Sequence, residues 1–483
     1  MLARRSFLLG AGAAALGAAA PAWAVPAPAG WAEDARLLAR AYRLLHPGLL
    51  RYLTPAAADA LFAGLEVALR RGPSLAEAYL ALSRALARIR CGHTHANFWN
   101  QRKEVAEALF AGRTRLPFRF AWLDRRMIVT APGADGLAPG DEVVAIDGAP
   151  AAALLARLVP YARADGGNDA KRIAQLEVRG GERWETFDVF QGLVAPPRDG
   201  TFRLRVRAPG GGERAVEVAA IDLAARRAQG GPEEVEGGPA FTLEHRDRTA
   251  VLRMPTWALY RSSWDWKGFL DGAFRELADL GATGLVVDLR GNEGGLDCGD
   301  EVVARLVDRD LPRRAYERRV RYVRTPADLD RHLDTWDDAF RNWGKDAVRI
   351  DDRFFRLAEA DGESRAPIRP KGPRFRGRVA VIVDATNSSA TFQLAALVKA
   401  HGLATLVGAP TGGNLRGING GAFFFVRLPA SGLEADLPLI GTFPLTPQPD
   451  GGVAPDVPVK PTPEDLAAGR DRVLEAALAV ARG

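Results

Sequence analysis

The sequence predicts a multidomain α/β protein with three parts: an N-terminal helical segment, a β-rich module, and an α/β core in its second half. Three observations carry this expectation. Residues 31–112 are rich in Ala, Leu and Arg, with apolar residues at helical spacing. From residue 113 the texture changes to short alternating runs broken by Pro-Gly and Asp-Gly turns. From residue 239, short apolar strands alternate with amphipathic helices, the pattern of a buried parallel sheet. A chain of 483 residues is also too long for a single core.

The first 24 residues stand apart from the fold. Arg4-Arg5-Ser6-Phe7-Leu8-Leu9 leads into an Ala/Gly-rich apolar stretch that ends at Ala22-Trp23-Ala24, a small-x-small cleavage pattern. The paired arginines make this a twin-arginine-like export signal, with a Sec signal as the alternative. A periplasmic or secreted protein starting near Val25 is expected. No cysteine follows the apolar stretch, and no later run reaches about 18 apolar residues, so neither a lipid anchor nor stable membrane insertion is expected. The net charge of +6 falls to +4 without Arg4 and Arg5, and the arginines are scattered, which argues against nucleic acid as a partner.

The helical segment, 31–112, divides into helices near 34–45, 55–71 and 74–89. His46-Pro47-Gly48 stops the first, and Ser74 with Glu77 makes a capping box for the third. In the module at 113–222, Phe118–Trp122 and Met127–Val129 alternate as strands. The run Leu137-Ala138-Pro139-Gly140-Asp141-Glu142-Val143-Val144-Ala145-Ile146-Asp147-Gly148 resembles a PDZ domain, to be completed by a helix near 149–159 and strands near 201–207 and 214–219. A carboxylate-binding loop is not legible, so peptide binding by the module stays open. Residues 223–238 read as a linker. In the core at 239–475, strands are expected at Ala250–Met254, Gly284–Leu289, Val379–Val383 and Thr405–Val407. Helices fall at 265–280, closed by Gly281, and at 389–400, closed by Gly402. A hairpin runs through Phe423–Val426 and turns at 429–432. Residues 316–375 are charged, with Trp336, Trp343, Phe354 and Phe355 interspersed, and read as an insertion with some amphipathic helix.

Two segments could carry chemistry. Asp384-Ala385-Thr386-Asn387-Ser388-Ser389-Ala390-Thr391 joins an apolar strand to a helix. A serine at such a turn exposes its hydroxyl at the carboxyl end of the sheet, beside free N–H groups of the first helical turn. Helix capping explains the same residues without chemistry. Asp288-Leu289-Arg290-Gly291-Asn292-Glu293-Gly294-Gly295 is a strand entering a glycine-rich loop, where backbone N–H groups can come close to a ligand.

In this order and spacing, DLRGNEGG and NSSA resemble the core of peptidase family S41, the C-terminal processing and tricorn-like serine peptidases. The PDZ-like run, the loop Gly408-Ala409-Pro410-Thr411-Gly412-Gly413-Asn414 and the terminal Gly452-Val453-Ala454-Pro455-Asp456-Val457 sit where the family has them. The resemblance implies an α/β core of S41 (crotonase-like) type and a peptide or protein substrate. It also implies Ser389 as nucleophile, with Ser388 as competitor, and an oxyanion hole from Ala390 with Gly294 or Gly295. No cofactor or metal is implied. Processing peptidases use a lysine as base where this chain has Asn414. Lys399 lies about 15 Å along the helix, too far for proton transfer. The tricorn-like branch uses a histidine ahead of the PDZ-like module, which points to His93, with His95 as the other choice, in Arg90-Cys91-Gly92-His93-Thr94-His95. Asp450 is the implied acid; Asp456, Glu434 and Asp436 are alternatives. A non-catalytic ligand- or peptide-binding protein on this scaffold, or a hydrolase of a non-peptide ester or amide, remains a competing reading. Cys91 and Cys298, the only cysteines, could be bridged in an oxidising compartment if His93 and Gly295 both face Ser389.

Overall fold

The computed structural model describes residues 30–180, 184–229, 239–313, 316–358 and 366–483. The export signal, the start near Val25 and the linker residues 230–238 lie outside them.

The chain begins with four helices: α1 (Trp31–Leu45), α2 (Pro55–Arg70), α3 (Leu75–Ala87) and α4 (Lys103–Phe110). The Ser74–Glu77 capping box forms as the sequence indicates. A β-rich module follows: β1 (Arg119–Leu123), β2 (Arg126–Ala131), β3 (Glu142–Ile146), β4 (Ala149–Pro150), α5 (Ala151–Leu158), α6 (Asp169–Gln175), α7 (Thr186–Val194), β5 (Thr201–Arg207) and β6 (Glu213–Ala219). Its strands run β1-β2-β3-β5-β6, with β4 beside β3. The expected linker begins with a helix instead, α8 (Leu223–Ala228), capped by Asp222. The buried Arg226 guanidinium explains this. It grips Asp188 at 3.0 and 3.1 Å and donates to Leu116 O, so charge pairing holds a segment whose composition reads as loop.

The core contains β7 (Thr242–Arg246), β8 (Thr249–Arg253), α9 (Trp266–Asp279), β9 (Gly284–Asp288) and α10 (Cys298–Val303). After these come β10 (Tyr316–Val320), α11 (Ala327–Asp330), β11 (Leu333–Asp334), β12 (Ala347–Arg349), β13 (Phe355–Leu357), β14 (Arg378–Val383), α12 (Ser389–Ala400) and β15 (Thr405–Gly408). The chain closes with β16 (Asn419–Arg427), β17 (Glu434–Pro444), β18 (Val457–Pro458), α13 (Pro463–Ala467) and α14 (Arg472–Arg482). One sheet runs β18-β15-β14-β9-β8-β7, parallel except for the β7–β8 hairpin. Alternation assigns its faces. Leu285, Val287, Val379, Val381 and Val383 pack toward α9, α10 and α12, whereas Val286, Ala380 and Ile382 pack against α14. Both faces are covered, which is why these strands read as continuous apolar runs.

Among the described residues of 316–375, the expected helix is short, α11 being four residues long, and strands carry the segment. β10 pairs with β17 and β13, and β11 pairs with β16, giving an antiparallel sheet in the order β11-β16-β17-β10-β13-β12. Its arginines stack on aromatic rings, Arg319 lying 4.7 Å from Phe443 and 5.6 Å from Phe354, so charge and aromatics alternate for a strand reason. The helical segment packs on this sheet: Tyr42 donates to Asp436 O at 2.5 Å, and Asp34 accepts from the N–H groups of Ala430 and Ser431. Among the described residues, no helix is long and apolar enough to cross a membrane.

Candidate functional site

Sheet register builds the site. β9 and β14 are parallel neighbours, Val381 opposite Val287. Their carboxyl ends therefore deliver residues 289–295 and 384–389 side by side. Asn387, fully buried, fastens the two loops and a third. Its Nδ2 donates to Leu289 O at 2.6 Å and Asn292 O at 3.0 Å, its Oδ1 accepts from Asp384 N, and its carbonyl accepts from Gly412 N and Gly413 N. Asn387→Ala removes the three side-chain bonds, although Leu289 O keeps the Asn292 N–H and Asn292 O keeps the Thr391 hydroxyl, and is expected to lower stability by about 2 kcal/mol, read as a lower urea midpoint. An unchanged midpoint would contradict this account of the loops.

Ser389 opens α12 with φ +50, a left-handed conformation strained for a non-glycine residue. Its side chain is half-buried, while Ser388 is buried. Ser388 Oγ is engaged, donating to Glu293 O at 3.1 Å. Gly294, φ +102, faces the turn: a Cβ there would stand 2.8 Å from Ser389 Cβ and 2.9 Å from Ala390 N. Glycine is required at this contact. Gly295, φ +136, has no room for a Cβ against Trp257 O. The N–H of Gly294 is already taken by Asn292 Oδ1 at 2.9 Å, so of the three sequence-expected oxyanion donors Gly294 is the one already committed.

His93 comes from the loop after α3. That loop is pinned by Tyr79 donating to Ala96 O, by Asp436 N donating to His95 O, and by His46 Nε2 paired with Thr94 Oγ1 at 2.8 Å. His46 is locked: Nδ1 accepts from Gly48 N, so Nε2 carries the proton, and burial drives its pKa down to about 3. Burial, then the cations Arg163 and Lys171, lower His93 to about 4 against the opposing charge of Glu293. The imidazole is neutral at pH 7 in the neighbourhood of the serine turn. No hydrogen bond partners its Nδ1. His95 lies 3.9 Å from Asp436, whose carboxyl is raised to about 6 by burial against donors from Asn100 and Asn97.

Asp450 is not brought to His93. Its Oδ1 accepts from Asn414 Nδ2 at 2.7 Å and from Gly167 N at 3.1 Å, and these bonds hold it low despite burial. Asp456 is bound to Lys399 at 2.7 Å, and Glu434 pairs with Arg427. Cys91 and Cys298 are free, buried and in different cores, so the bridge does not form. Cys91 instead accepts from Asn419 Nδ2. Among the described residues no cluster of His, Cys, Asp and Glu could hold a metal ion.

Sequence reasoning missed Lys171. A search for lysine along the chain after the serine could not find it, because it comes from α6 of the β-rich module. Asn168 caps that helix and anchors it to the core through Thr411 O and Gly413 O. The buried ammonium spends its three donors on Glu293 Oε1 at 2.7 Å, Thr386 O at 2.8 Å and Ser388 Oγ at 3.4 Å. Burial lowers its pKa, with Glu293 opposing.

Residues 248–420 match the family model described as Peptidase family S41. No curated protein matches the sequence. Solved structures share the fold, two of CPAF among them. The structure of mature CPAF complexed with lactacystin has a TM-score of 0.62 at 16% identity, over 94% of this chain and 97% of that one. The crystal structure of mature CPAF has a TM-score of 0.58 at 16% identity, over 91% and 94%. The glycine-rich loop and the serine turn, set side by side as the sequence resemblance implies, both lie inside the stretch that matches Peptidase family S41.

Proposed function

We propose that the chain is an exported serine peptidase that hydrolyses peptide bonds through an acyl-enzyme on Ser389, with His93 as general base. One observation carries the reading. Ser389 sits half-buried in a left-handed turn at a helix N-terminus, with Ala390 N facing a glycine, Gly294, that comes too close for any side chain. Ser389 Oγ attacks the carbonyl carbon while its proton passes to the His93 imidazole. The oxyanion is received by the N–H groups of Ala390 and Gly295. His93 returns the proton to the leaving amine, and water then releases the acyl group. Asp450 stands with Asn414 and Gly167, so the reading rests on Ser389 and His93. The Arg4-Arg5 leader supports export by the twin-arginine route to the periplasm or beyond, and the β-rich module fits a PDZ-like role.

A non-catalytic binding protein on the same scaffold is the second reading. It is favoured by the absence of a hydrogen bond from His93 to Ser389 or to a carboxylate. A fluorophosphonate probe separates the two: modification mapped to Ser389 supports the peptidase, and a folded sample that takes no label supports the binder. The pH profile is a further check. A base works only unprotonated, so kcat/KM should stay level from neutrality downward and fall by half near pH 4, the value to which His93 is lowered. A midpoint near 6.5, the ordinary value, would remove His93 from this role.

A further inference from the structure

Trp336 is 60% exposed, a costly position for a tryptophan unless its face is used. Its ring lies 5.7 Å from Phe423 and 5.9 Å from Phe425, and edge-on to Phe340 at 5.4 Å. Phe423 and Phe425 are two residues apart on β16, so they share a face, and both are only partly buried. The backbone fixes the arrangement. β11 pairs Asp334 with Phe425, and Thr335 Oγ1 donates to Phe423 O at 3.0 Å, which seats the next residue, Trp336, over the strand. The flanking charges Asp334 and Arg427 are paired with each other. The surface therefore presents ring faces, and it begins at the proposed base: the Phe423 ring is 5.8 Å from the His93 ring.

We propose that Trp336, Phe423 and Phe425 form a specificity subsite that takes an aromatic or large aliphatic side chain of the peptide held at Ser389 and His93. This rests on the peptidase reading above. The chemistry follows from the lining. Rings offer an incoming ring or branched aliphatic group edge and face contacts and shed water when covered, whereas a charged side chain would lose hydration with nothing to replace it. A rigid patch costs little entropy to use, because Trp336 is already held by Thr335 and β11.

The test profiles the full chain against quenched fluorogenic peptides varied one residue at a time around their centre. Wild type is expected to favour Phe or Leu over Ala and Asp at one fixed position beside the cleaved bond. In Trp336→Ala and Phe425→Ala, the Phe-over-Ala ratio of kcat/KM at that position should fall about tenfold, the scale of hydrophobic pocket discrimination, with preferences at other positions kept. Binding of one matched Phe/Ala peptide pair to the Ser389→Ala chain, by calorimetry, should show the same loss of ratio. No apolar preference in wild type, or a ratio that neither variant alters, overturns the subsite. So does a wild-type dimer that Trp336→Ala dissociates, since the patch would then be covered by a second copy. If wild type cleaves nothing while the Phe-over-Ala binding ratio persists, the peptidase reading falls and the subsite stands.

Discussion

Ser389→Ala is expected to lower kcat/KM for peptide hydrolysis by about 10^6-fold, the scale of losing a nucleophile outright. The fold should survive, because alanine fits the same space and faces the same backbone cost at φ +50. Ser388→Ala provides the contrast. That hydroxyl binds Glu293 O and lies 3.4 Å from Lys171, so its loss disturbs the loop without removing the attacking atom. A decrease of about tenfold is expected for it. Single-turnover rates and melting curves on both variants decide the matter. A dead Ser388→Ala beside an active Ser389→Ala would move the nucleophile by one residue.

His93→Ala should cost about 10^4-fold in the acylation rate, since the serine loses the group that takes its proton. His95→Ala should stay within about tenfold of wild type, because His95 stands 3.9 Å from Asp436, whereas His93 is the ring that feels both Lys171 and Glu293. Burst kinetics with an activated ester separate acylation from release. Activity retained in His93→Ala and lost in His95→Ala would transfer the role. Activity retained in both would end the serine–histidine scheme.

Much of this was readable beforehand, and the physical reason differs from part to part. The strands of the parallel sheet are buried on both faces, so their apolar runs and the helices between them announce themselves. Helix ends were legible wherever a capping side chain or a left-handed glycine closes them, as at Ser74 and Gly402. The turn that carries Ser389 was legible because a strand, a short polar turn and a helix compress its geometry into eight residues. The acid was not. Asp450 was named from its place in a family pattern, and its position is decided by Asn414 and Gly167, which lie far off along the chain. The arginines of 316–323 read as part of a charged insertion because a stack on Phe443 or Phe354 leaves no local periodicity. Arg226 hid for the same reason, its partner Asp188 being 38 residues away. Lys171 lies more than two hundred residues from the serine it approaches, on a seven-residue helix with no pattern to mark it.

That lysine has a thermodynamic consequence. Its side chain is 3% exposed, and each of its three partners belongs to the core rather than to the module that carries it. Lifting α6 away would strip a charge of its partners, leave Thr386 O without that donor and leave Glu293 with Arg163 as its remaining cation in the same event. The seating of the module and the order of the serine turn are therefore one equilibrium, not two. By linkage, any ligand that tightens the turn must tighten the module by the same free energy, and any ligand that loosens the module must loosen the turn.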